Sequence, residues 1–290
     1  MPIKDILLAL LVPCLWGFGF VIAKPVMGQF PPILLNGLRW SLTGLLMFWF
    51  FPFPKKAFKK LLIISFIGCT IQYSLTYSGL NMIDATSATL FIQAEIPFGI
   101  LIAFLILGER PSIKNIVGLI IAFIGIIILT GSPNLEGKIL GVTILLLGAL
   151  FWSFAQVLAK SISEEVGGLT LTAWLGIFAG PQCIIASFIF EGNPIYYLSN
   201  ADLKAWMVVI YLALAMNVLG YSIWYHVLSK HPVNYIMPVL LLFPVTGLLT
   251  AIFLLGESPT TFAYIGGSII VCGVAIILFN KNKTNINEIN

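Results

Sequence analysis

The chain has 290 residues, of which 59% are hydrophobic and 9% are charged, and its formal net charge is +4. A soluble domain carries about 25% charged residues, so this chain cannot cover a globular surface with polar groups, and a large soluble domain is excluded. The positive balance does not indicate a nucleic-acid partner, because in a membrane protein the placement of Lys and Arg matters more than their sum.

Apolar segments of membrane-spanning length follow one another along nearly the whole chain. Since one bilayer crossing takes about 20 apolar residues, the sequence predicts an all-α integral membrane protein with ten transmembrane helices. The first segment lacks a small-residue cleavage site and is expected to be a permanent helix. Short breaks such as "GQFPP" and "FPFPKKAFKK" separate the spans. The predicted spans are 5–23, 33–51, 61–80, 86–107, 113–130, 139–159, 169–190, 205–227, 234–255 and 261–279.

The Lys and Arg residues indicate which span ends face the cytoplasm. With the N-terminus inside, eleven of these cations lie on the cytoplasmic side and three lie outside. Ten spans then return the C-terminus to the cytoplasm, where the Asn- and Lys-rich tail at 281–290 is expected to be disordered. Lys24, directly after the first span, is one of the three outer cations and departs from the rule.

The two halves of the chain share a set of phrases. The stretch "WGFGFVIAK" at 16–24 matches "WSFAQVLAK" at 152–160, and "LGERP" at 107–111 matches "LGESP" at 255–259. Small residues seven apart lie on one side of a helix and permit close packing. Such glycines follow 9 and 16 residues beyond each "LGE" glutamate, namely Gly118, Gly125, Gly266 and Gly273.

These matches predict two five-helix repeats, at 1–131 and 132–280. Because each repeat has an odd number of helices, the second enters the membrane from the opposite side. The repeats are then related by a pseudo-two-fold axis in the membrane plane, an arrangement typical of secondary transporters. Trp16 and Trp152 are expected at matching depths beside a central cavity. The glutamates Glu109 and Glu257 are expected to cap neighbouring helix ends or to pair with loop cations.

The chain resembles the drug/metabolite transporter superfamily, EamA type. The resemblance rests on "LWGFGFVIAK" at the opening, "PPILLNGLRW" at the second span, and "LGE" at the ends of the fourth and ninth spans. The stretches before those glutamates look most like bacterial exporters of amino acids and their metabolites. The resemblance implies a central cavity lined by helices one to four and six to nine, with helices five and ten peripheral. It also implies the bacterial inner membrane and no ATP-binding module, and no P-loop pattern occurs.

Two charged residues lie well inside predicted spans, where a charge is expensive and usually faces a wet cavity. They are Arg39 and Glu95, and Asn36 shares the helix face of Arg39. In the functional interpretation Arg39 and Asn36 bind a substrate carboxylate, while Glu95 binds an ammonium group or exchanges a coupling proton. The alternatives are a structural Arg39–Glu95 ion pair, or an Arg39 side chain that extends to the outer interface.

Further polar and aromatic residues lie inside the spans and are candidates to line the cavity. Aromatic side chains near span ends have the alternative role of interfacial anchors. Four prolines within spans, at 97, 181, 238 and 244, free backbone carbonyls, and they indicate either helix bending or simple packing kinks. The additional candidate substrate-binding residues are Gln72, Tyr77, Gln93, Trp152, Gln156, Trp174, Asn217, Tyr221 and Trp224.

No pattern in the sequence indicates a metal, a cofactor or an enzymatic site. His226 and His231 lack partners at ligand spacing, and the four cysteines lie in apolar stretches without CxxC spacing. An intramembrane hydrolase needs a nucleophile and base or an Asp pair within the membrane, but the three Asp residues lie at span ends or in loops.

The sequence therefore predicts a secondary transporter that exports small metabolites, most of all amino acids or their derivatives. Its partners would be a small-molecule substrate and the lipid bilayer, and flux would be driven by protons or by the substrate gradient alone. An uncoupled facilitator, or a transporter of a sugar, nucleoside or drug-like amine, remains the alternative. A nucleotide-sugar cavity would gather more cations than Arg39 alone. The pattern does not predict an oligomeric state.

Overall fold

The computed structural model describes residues 2–107, 111–230, 239–240 and 242–278. These residues contain helices and no β-strand. We number the long helical runs α1 to α10, and a short helix, Pro194–Asn200, lies between α7 and α8. The runs are α1 Ile3–Ala23, α2 Pro32–Met47, α3 Lys55–Met82, α4 85–107, α5 Ile113–Thr130, α6 Ile139–Val166, α7 Gly168–Phe190, α8 203–230, α9 Leu242–Leu255 and α10 Thr261–Leu278.

Helix occupies part or all of each predicted span within the described residues, which confirms the all-α membrane class. Seven runs are long and apolar enough to cross a bilayer, namely those that begin at Ile3, Pro32, Lys55, Ile113, Ile139, Gly168 and Leu203. The described parts of α9 and α10 are shorter apolar helices, so the count of ten crossings stays a prediction. Glu109, His231, Pro238 and the tail 281–290 lie outside the described residues.

Three of the long runs are locally irregular. In α3 a π-helical segment, Ser65–Ile71, precedes the α-helix Gln72–Met82. In α8 a longer π-helical segment, Leu212–Tyr221, lies between two α-helical parts. In α4 a 3-10 turn, Ile92–Ala94, directly precedes Glu95. Such departures from α-geometry occur often at functional sites, and all three lie at the centre of the bundle.

The main helix contacts are related by two-fold symmetry: exchanging the two halves of the chain gives the same set of contacting pairs. The pairs α2–α7 and α5–α10 make the most extensive contacts, and each joins a helix to its own counterpart in the other half. The contact of α3 with α6 corresponds to that of α8 with α1, and the contact of α4 with α6 to that of α9 with α1. This pairing supports the inverted repeat, while the boundary between 1–131 and 132–280 stays a prediction.

The repeated glycines lie where α5 and α10 cross. A Cβ atom added to Gly125 would lie 2.8 Å from the carbonyl oxygen of Gly266, and one added to Gly118 would lie 2.6 Å from that of Gly273. Real Cβ atoms do not approach backbone atoms so closely, so only glycine permits this crossing. The close packing predicted from the sequence is therefore present.

Two carboxylates cap helices of the opposite half at the face opposite the start of α1, which we call the outer face. Glu257, just after α9, accepts a hydrogen bond from the backbone N–H of Ala85 at the start of α4. Glu191, at the end of α7, accepts from Ile33 N and Leu34 N at the start of α2, at 2.7 and 2.9 Å. The capping role predicted for Glu257 is thus confirmed, whereas the cap made by Glu191 was not predicted.

Lys24, the exception to the charge rule, also lies at this outer face. Its ammonium group donates to the carbonyl oxygen of Ile83, at the end of α3. A cation at a helix C-terminus satisfies an otherwise unpaired carbonyl and favours the negative end of the helix dipole. Lys24 therefore has a structural role here beyond its place in the repeated phrase.

Candidate functional site

A central cavity lies near the middle of the bundle, between α1, α3, α4, α6, α8 and the residues around the start of α9. About 50 Å³ of it is open to the centre of a water molecule. The lining combines aromatic and aliphatic side chains with a few polar ones. The residues are Trp16, Phe20, Gln72, Tyr73, Thr76, Ile92, Gln93, Glu95, Ile96, Trp152, Met216, Leu240 and Phe243.

Four of the predicted site residues line this central cavity, namely Gln72, Gln93, Glu95 and Trp152. Trp16 lines it as well, so the matching tryptophans of the two repeated phrases both face the cavity. The resemblance implied contributions from all of helices one to four and six to nine. Within the described residues, however, α2 and α7 contribute none of the lining.

Glu95 is the acidic residue of the central cavity. It begins the last α-helical part of α4, directly after the 3-10 turn and two residues before Pro97. Its backbone carbonyl accepts a hydrogen bond from the hydroxyl of Ser153 at 2.5 Å, which joins α4 to α6. Glu95 lines the cavity, and a carboxyl group at this place could bind a cation or exchange a proton.

Arg39 lies behind the cavity, fully buried within the bundle. Its Nη1 donates to the hydroxyl of Tyr77 at 2.7 Å, and its Nε donates to Asn36 Oδ1 at 3.1 Å. The guanidinium carbon lies 3.9 Å from the ring centre of Tyr73, within range of a strong cation–π interaction. Since Tyr73 lines the cavity, a single aromatic ring separates the guanidinium from it.

No carboxylate among the described residues pairs with Arg39. The Arg39–Glu95 ion pair considered from the sequence is not formed, and Arg39 does not extend to the interface. Its Nη2 atom is buried without a hydrogen-bond partner among these residues. Leaving a charged donor buried and unpaired costs about 1–3 kcal/mol or more, so the arrangement is one that an incoming anionic group would stabilise.

Other candidate residues form a buried network around Arg39 and do not line the central cavity. Asn36 donates to the carbonyl of Cys69 at 2.8 Å. Asn217 donates to the hydroxyl of Thr43 at 3.1 Å, and its Oδ1 has no partner among the described residues. Trp224 is fully buried, with its ring 5.7 Å from that of Trp16. These side chains support the cavity wall from behind.

The remaining candidates lie towards the face at which α1 begins, which we call the N-terminal face. A second, smaller cavity lies there, with about 10 Å³ open to the centre of a water molecule, and Gln156 and Tyr221 both line it. Trp174 lines neither cavity; it lies near the start of α7 and donates to the carbonyl of Pro52 at 3.1 Å. The position of Trp174 is that of an interfacial anchor.

Several lining residues carried no polar signal in the sequence. Phe20, Met216, Leu240 and Phe243 are apolar residues in apolar helices, so composition alone does not separate them from lipid-facing neighbours. Trp16 could have been included, because it is the counterpart of the candidate Trp152. Among the described residues, no group of three His, Cys, Asp or Glu side chains could hold a metal ion.

The comparisons with known proteins agree with this architecture. A family model for the EamA-like transporter family matches residues 3–131 and 139–279. A curated relative from Escherichia coli K12, named "Probable amino-acid metabolite efflux pump", is 30% identical, and the match covers 96% of each chain. A protein of the same name from Salmonella typhimurium is 29% identical, with the same 96% coverage of each. A crystal structure with 17% sequence identity superimposes with a TM-score of 0.65 over 95% of this chain and 96% of its own, which supports the fold alone. The chain is a multi-pass membrane protein and belongs to the EamA-like transporter family.

Proposed function

We propose that this protein is a secondary transporter that exports amino acids or amino-acid derivatives by alternating access through the central cavity. The observation that carries the proposal is the buried guanidinium of Arg39. Its Nη2 has no partner and no carboxylate pairs with it among the described residues, and it lies one ring behind a cavity that Glu95 lines. A zwitterionic amino acid presents one carboxylate and one ammonium group. These two side chains offer the complementary charges.

The names of the two relatives give independent support, since each is called a probable amino-acid metabolite efflux pump. The aromatic and aliphatic lining also suits an organic metabolite better than a bare ion. Binding sites for small molecules are commonly apolar, with a few placed polar groups that fix orientation.

Alternating access requires a state in which the cavity is closed towards one face of the bundle. The caps made by Glu191 and Glu257, together with a 3.0 Å hydrogen bond from Gln29 to Asp202, join the halves at the outer face. We infer a conformation closed at that face, with N- and C-termini in the cytoplasm of a bacterial cell and Arg39 exposed when the outer face opens.

Transport by proteoliposomes tests the proposal. The purified chain is reconstituted, and uptake of a labelled amino-acid panel is compared with uptake of a sugar, a nucleoside and a decarboxylated amine, each with and without an imposed pH gradient. We expect saturable transport of one or more amino acids above protein-free liposomes. Transport of the sugar or nucleoside with none of the amino acids would overturn the substrate class.

The response to the gradient separates a coupled exporter from a facilitator. Coupling through Glu95 predicts that an imposed pH gradient accelerates uptake. Equal rates with and without the gradient would identify an uncoupled facilitator. Reporter tags on both termini, accessible only from the cytoplasm, would establish the proposed orientation.

A further inference from the structure

Tyr73 of α3 and Tyr221 of α8 meet between the two cavities. Their hydroxyl groups are hydrogen-bonded to each other, and both side chains are buried. Tyr73 lines the central cavity, whereas Tyr221 lines the second cavity on the side of the N-terminal face. The pair therefore forms part of the wall that separates the two spaces.

The two tyrosines are counterparts in the inverted repeat. They are 148 residues apart, which is the spacing that relates Glu109 to Glu257 and the glycines of α5 to those of α10. The same spacing relates Tyr77 to Tyr225. A contact between two equivalent residues of an inverted repeat lies on the pseudo-two-fold axis, so the hydroxyl pair marks the point at which the halves meet.

The π-helical segments of α3 and α8 follow the same register. A shift of 148 residues carries Ser65–Ile71 onto 213–219, inside the segment Leu212–Tyr221. A π-segment contains an extra residue in the helical turn and weakens the regular hydrogen-bond ladder. Tyr221 is thus the last residue of the π-segment in α8, and Tyr73 lies two residues beyond the π-segment in α3.

The space on the two sides of the pair is unequal. On the N-terminal side, Gly68 of α3 lines the second cavity. Its counterpart at the same spacing is Met216, whose sulfur lies 3.3 Å from Arg39 Nη1 and 3.1 Å from a Cβ position built on Gly19. Met216 lines the central cavity, so the larger of the two open spaces lies on its side of the pair. An exchange of these two arrangements across the axis is what alternating access requires.

We propose that Tyr73 and Tyr221 form the gate between the central cavity and the second cavity, and that their hydrogen bond breaks when the transporter opens towards its N-terminal face. This inference rests on the proposed alternating-access function. It assigns the gate to a residue pair on the pseudo-two-fold axis that is joined by one hydroxyl–hydroxyl hydrogen bond. The ring of Trp16 lies 4.7 Å from that of Tyr221, and the Arg39 guanidinium carbon lies 3.9 Å from the ring centre of Tyr73.

Thiol accessibility tests the gate without any substrate. Thr76 lines the central cavity, and Thr76→Cys, in a background with the four native cysteines replaced by Ala, reports on that space. Membrane vesicles of known orientation, established with a terminal tag, are treated from the N-terminal side with an impermeant maleimide. We expect Tyr73→Phe and Tyr221→Phe each to raise the labelling rate of the reporter by about three- to tenfold, the range for loss of one hydrogen bond.

The double variant should label no faster than the faster single variant, because both substitutions remove the same bond. Tyr211→Phe is the matched control, since its hydroxyl donates to the carbonyl of Leu15 at 3.3 Å and neither residue lines a cavity. Its labelling should equal that of the parent. In a second series of variants Cys69 is the one native cysteine that is kept, and it reports on the second cavity. Its labelling rate should be the same in the parent and in the Phe variants.

Unchanged labelling of the reporter in both Phe variants would overturn the gate. An equal rise at Cys69 would also overturn it, because it would indicate general loosening of the bundle. The test is separable from the proposed function. If the protein does not transport amino acids, the labelling result still supports the gate, because the labelling assay uses no substrate. If it transports amino acids but labelling is unchanged in the Phe variants, only the gate proposal is wrong. Melting temperatures in detergent identify any variant that fails to fold.

Discussion

One carboxylate oxygen of Glu257 binds Thr86 twice. Its Oε2 accepts the backbone N–H of Thr86 at 2.9 Å and the hydroxyl of the same residue at 2.8 Å. The bond joins the end of α9 to the first turn of α4, so it connects the two halves of the chain. A carboxylate at a helix N-terminus satisfies unpaired donors and favours the positive end of the helix dipole.

We therefore predict that Glu257→Gln lowers the free energy of unfolding by about 1–3 kcal/mol, because the new amide would present a donor to backbone donors. The measurement is the melting temperature of the purified protein in detergent, followed by tryptophan fluorescence. Glu136→Gln is the control, since Glu136 is exposed in a loop on the same face. Equal melting temperatures for the two variants would contradict the capping role.

The cap made by Glu191 predicts a pH dependence of stability. Burial raises the pKa of this carboxyl above its ordinary value of 4.5, although hydrogen bonds from Ile33, Ser187 and Leu34 oppose the shift. A raised folded-state pKa contributes stability that is present at acidic pH and is lost as the pH rises through it. The melting temperature of wild type minus that of Glu191→Gln should therefore decrease from acidic to neutral pH. A difference that increases over this range would contradict the prediction.

The crossing of α5 and α10 predicts a contrast between two glycines. In Gly125→Ala, the new Cβ would lie 2.7 Å from the backbone nitrogen of Ile270, and we expect a loss of about 1–3 kcal/mol from overpacking. Gly99, within α4, has no atom within 4 Å of its Cβ position. Gly99→Ala should be neutral or stabilising by up to about 1 kcal/mol. The two melting temperatures, measured side by side, check the contrast.

Much of the fold follows from the sequence because apolar length and repeated phrases are strong local signals. The Trp16 and Trp152 phrases predicted two counterparts at one cavity, and both line it. The glycine spacing predicted close packing by α5 and α10, but not that these two helices pack against each other. The π-segments, by contrast, were not predicted, since no residue type requires them.

Only part of the site could be predicted, because helical spacing shows which residues are polar but not how the helices pack around them. Glu95 and Gln93 are polar residues in an apolar helix and had to face a cavity or a partner. Burying the charge of Arg39 in the membrane is also costly. Its guanidinium nevertheless lies behind the cavity wall, where it contacts Tyr73, Tyr77 and Asn36. Whether a buried cation lines a cavity or lies one ring behind it depends on tertiary packing, which helical spacing does not encode.

Arg39 gives a prediction on substrate selectivity. Lysine keeps the charge but loses the planar fork that bonds Asn36 and Tyr77 together and stacks on Tyr73. If Arg39 binds the substrate carboxylate, Arg39→Lys should reduce amino-acid transport by about ten- to a hundredfold, as expected for loss of a charge-assisted contact. Transport of the decarboxylated amine should change much less. An equal loss for both substrates, with a lower folded yield, would instead indicate a purely structural role.

Glu95 gives a prediction on coupling. Glutamine has nearly the same shape and can still hydrogen-bond, but it cannot release a proton. If Glu95 carries the coupling proton, Glu95→Gln should abolish the acceleration of uptake by an imposed pH gradient. Counterflow exchange of unlabelled for labelled substrate should continue, because exchange requires no net proton movement.

The control for this variant is Glu165→Gln, whose side chain is exposed near the end of α6, and its gradient response should equal that of wild type. The assay compares initial uptake rates at equal protein density, with and without the gradient, together with counterflow. Because both variants lose one negative charge, a difference between them depends on location and not on net charge. A gradient response that survives in Glu95→Gln would place the coupling proton elsewhere. Loss of counterflow together with the response would assign Glu95 to substrate binding, since the ammonium group of a zwitterion would then have lost its carboxylate partner in the cavity.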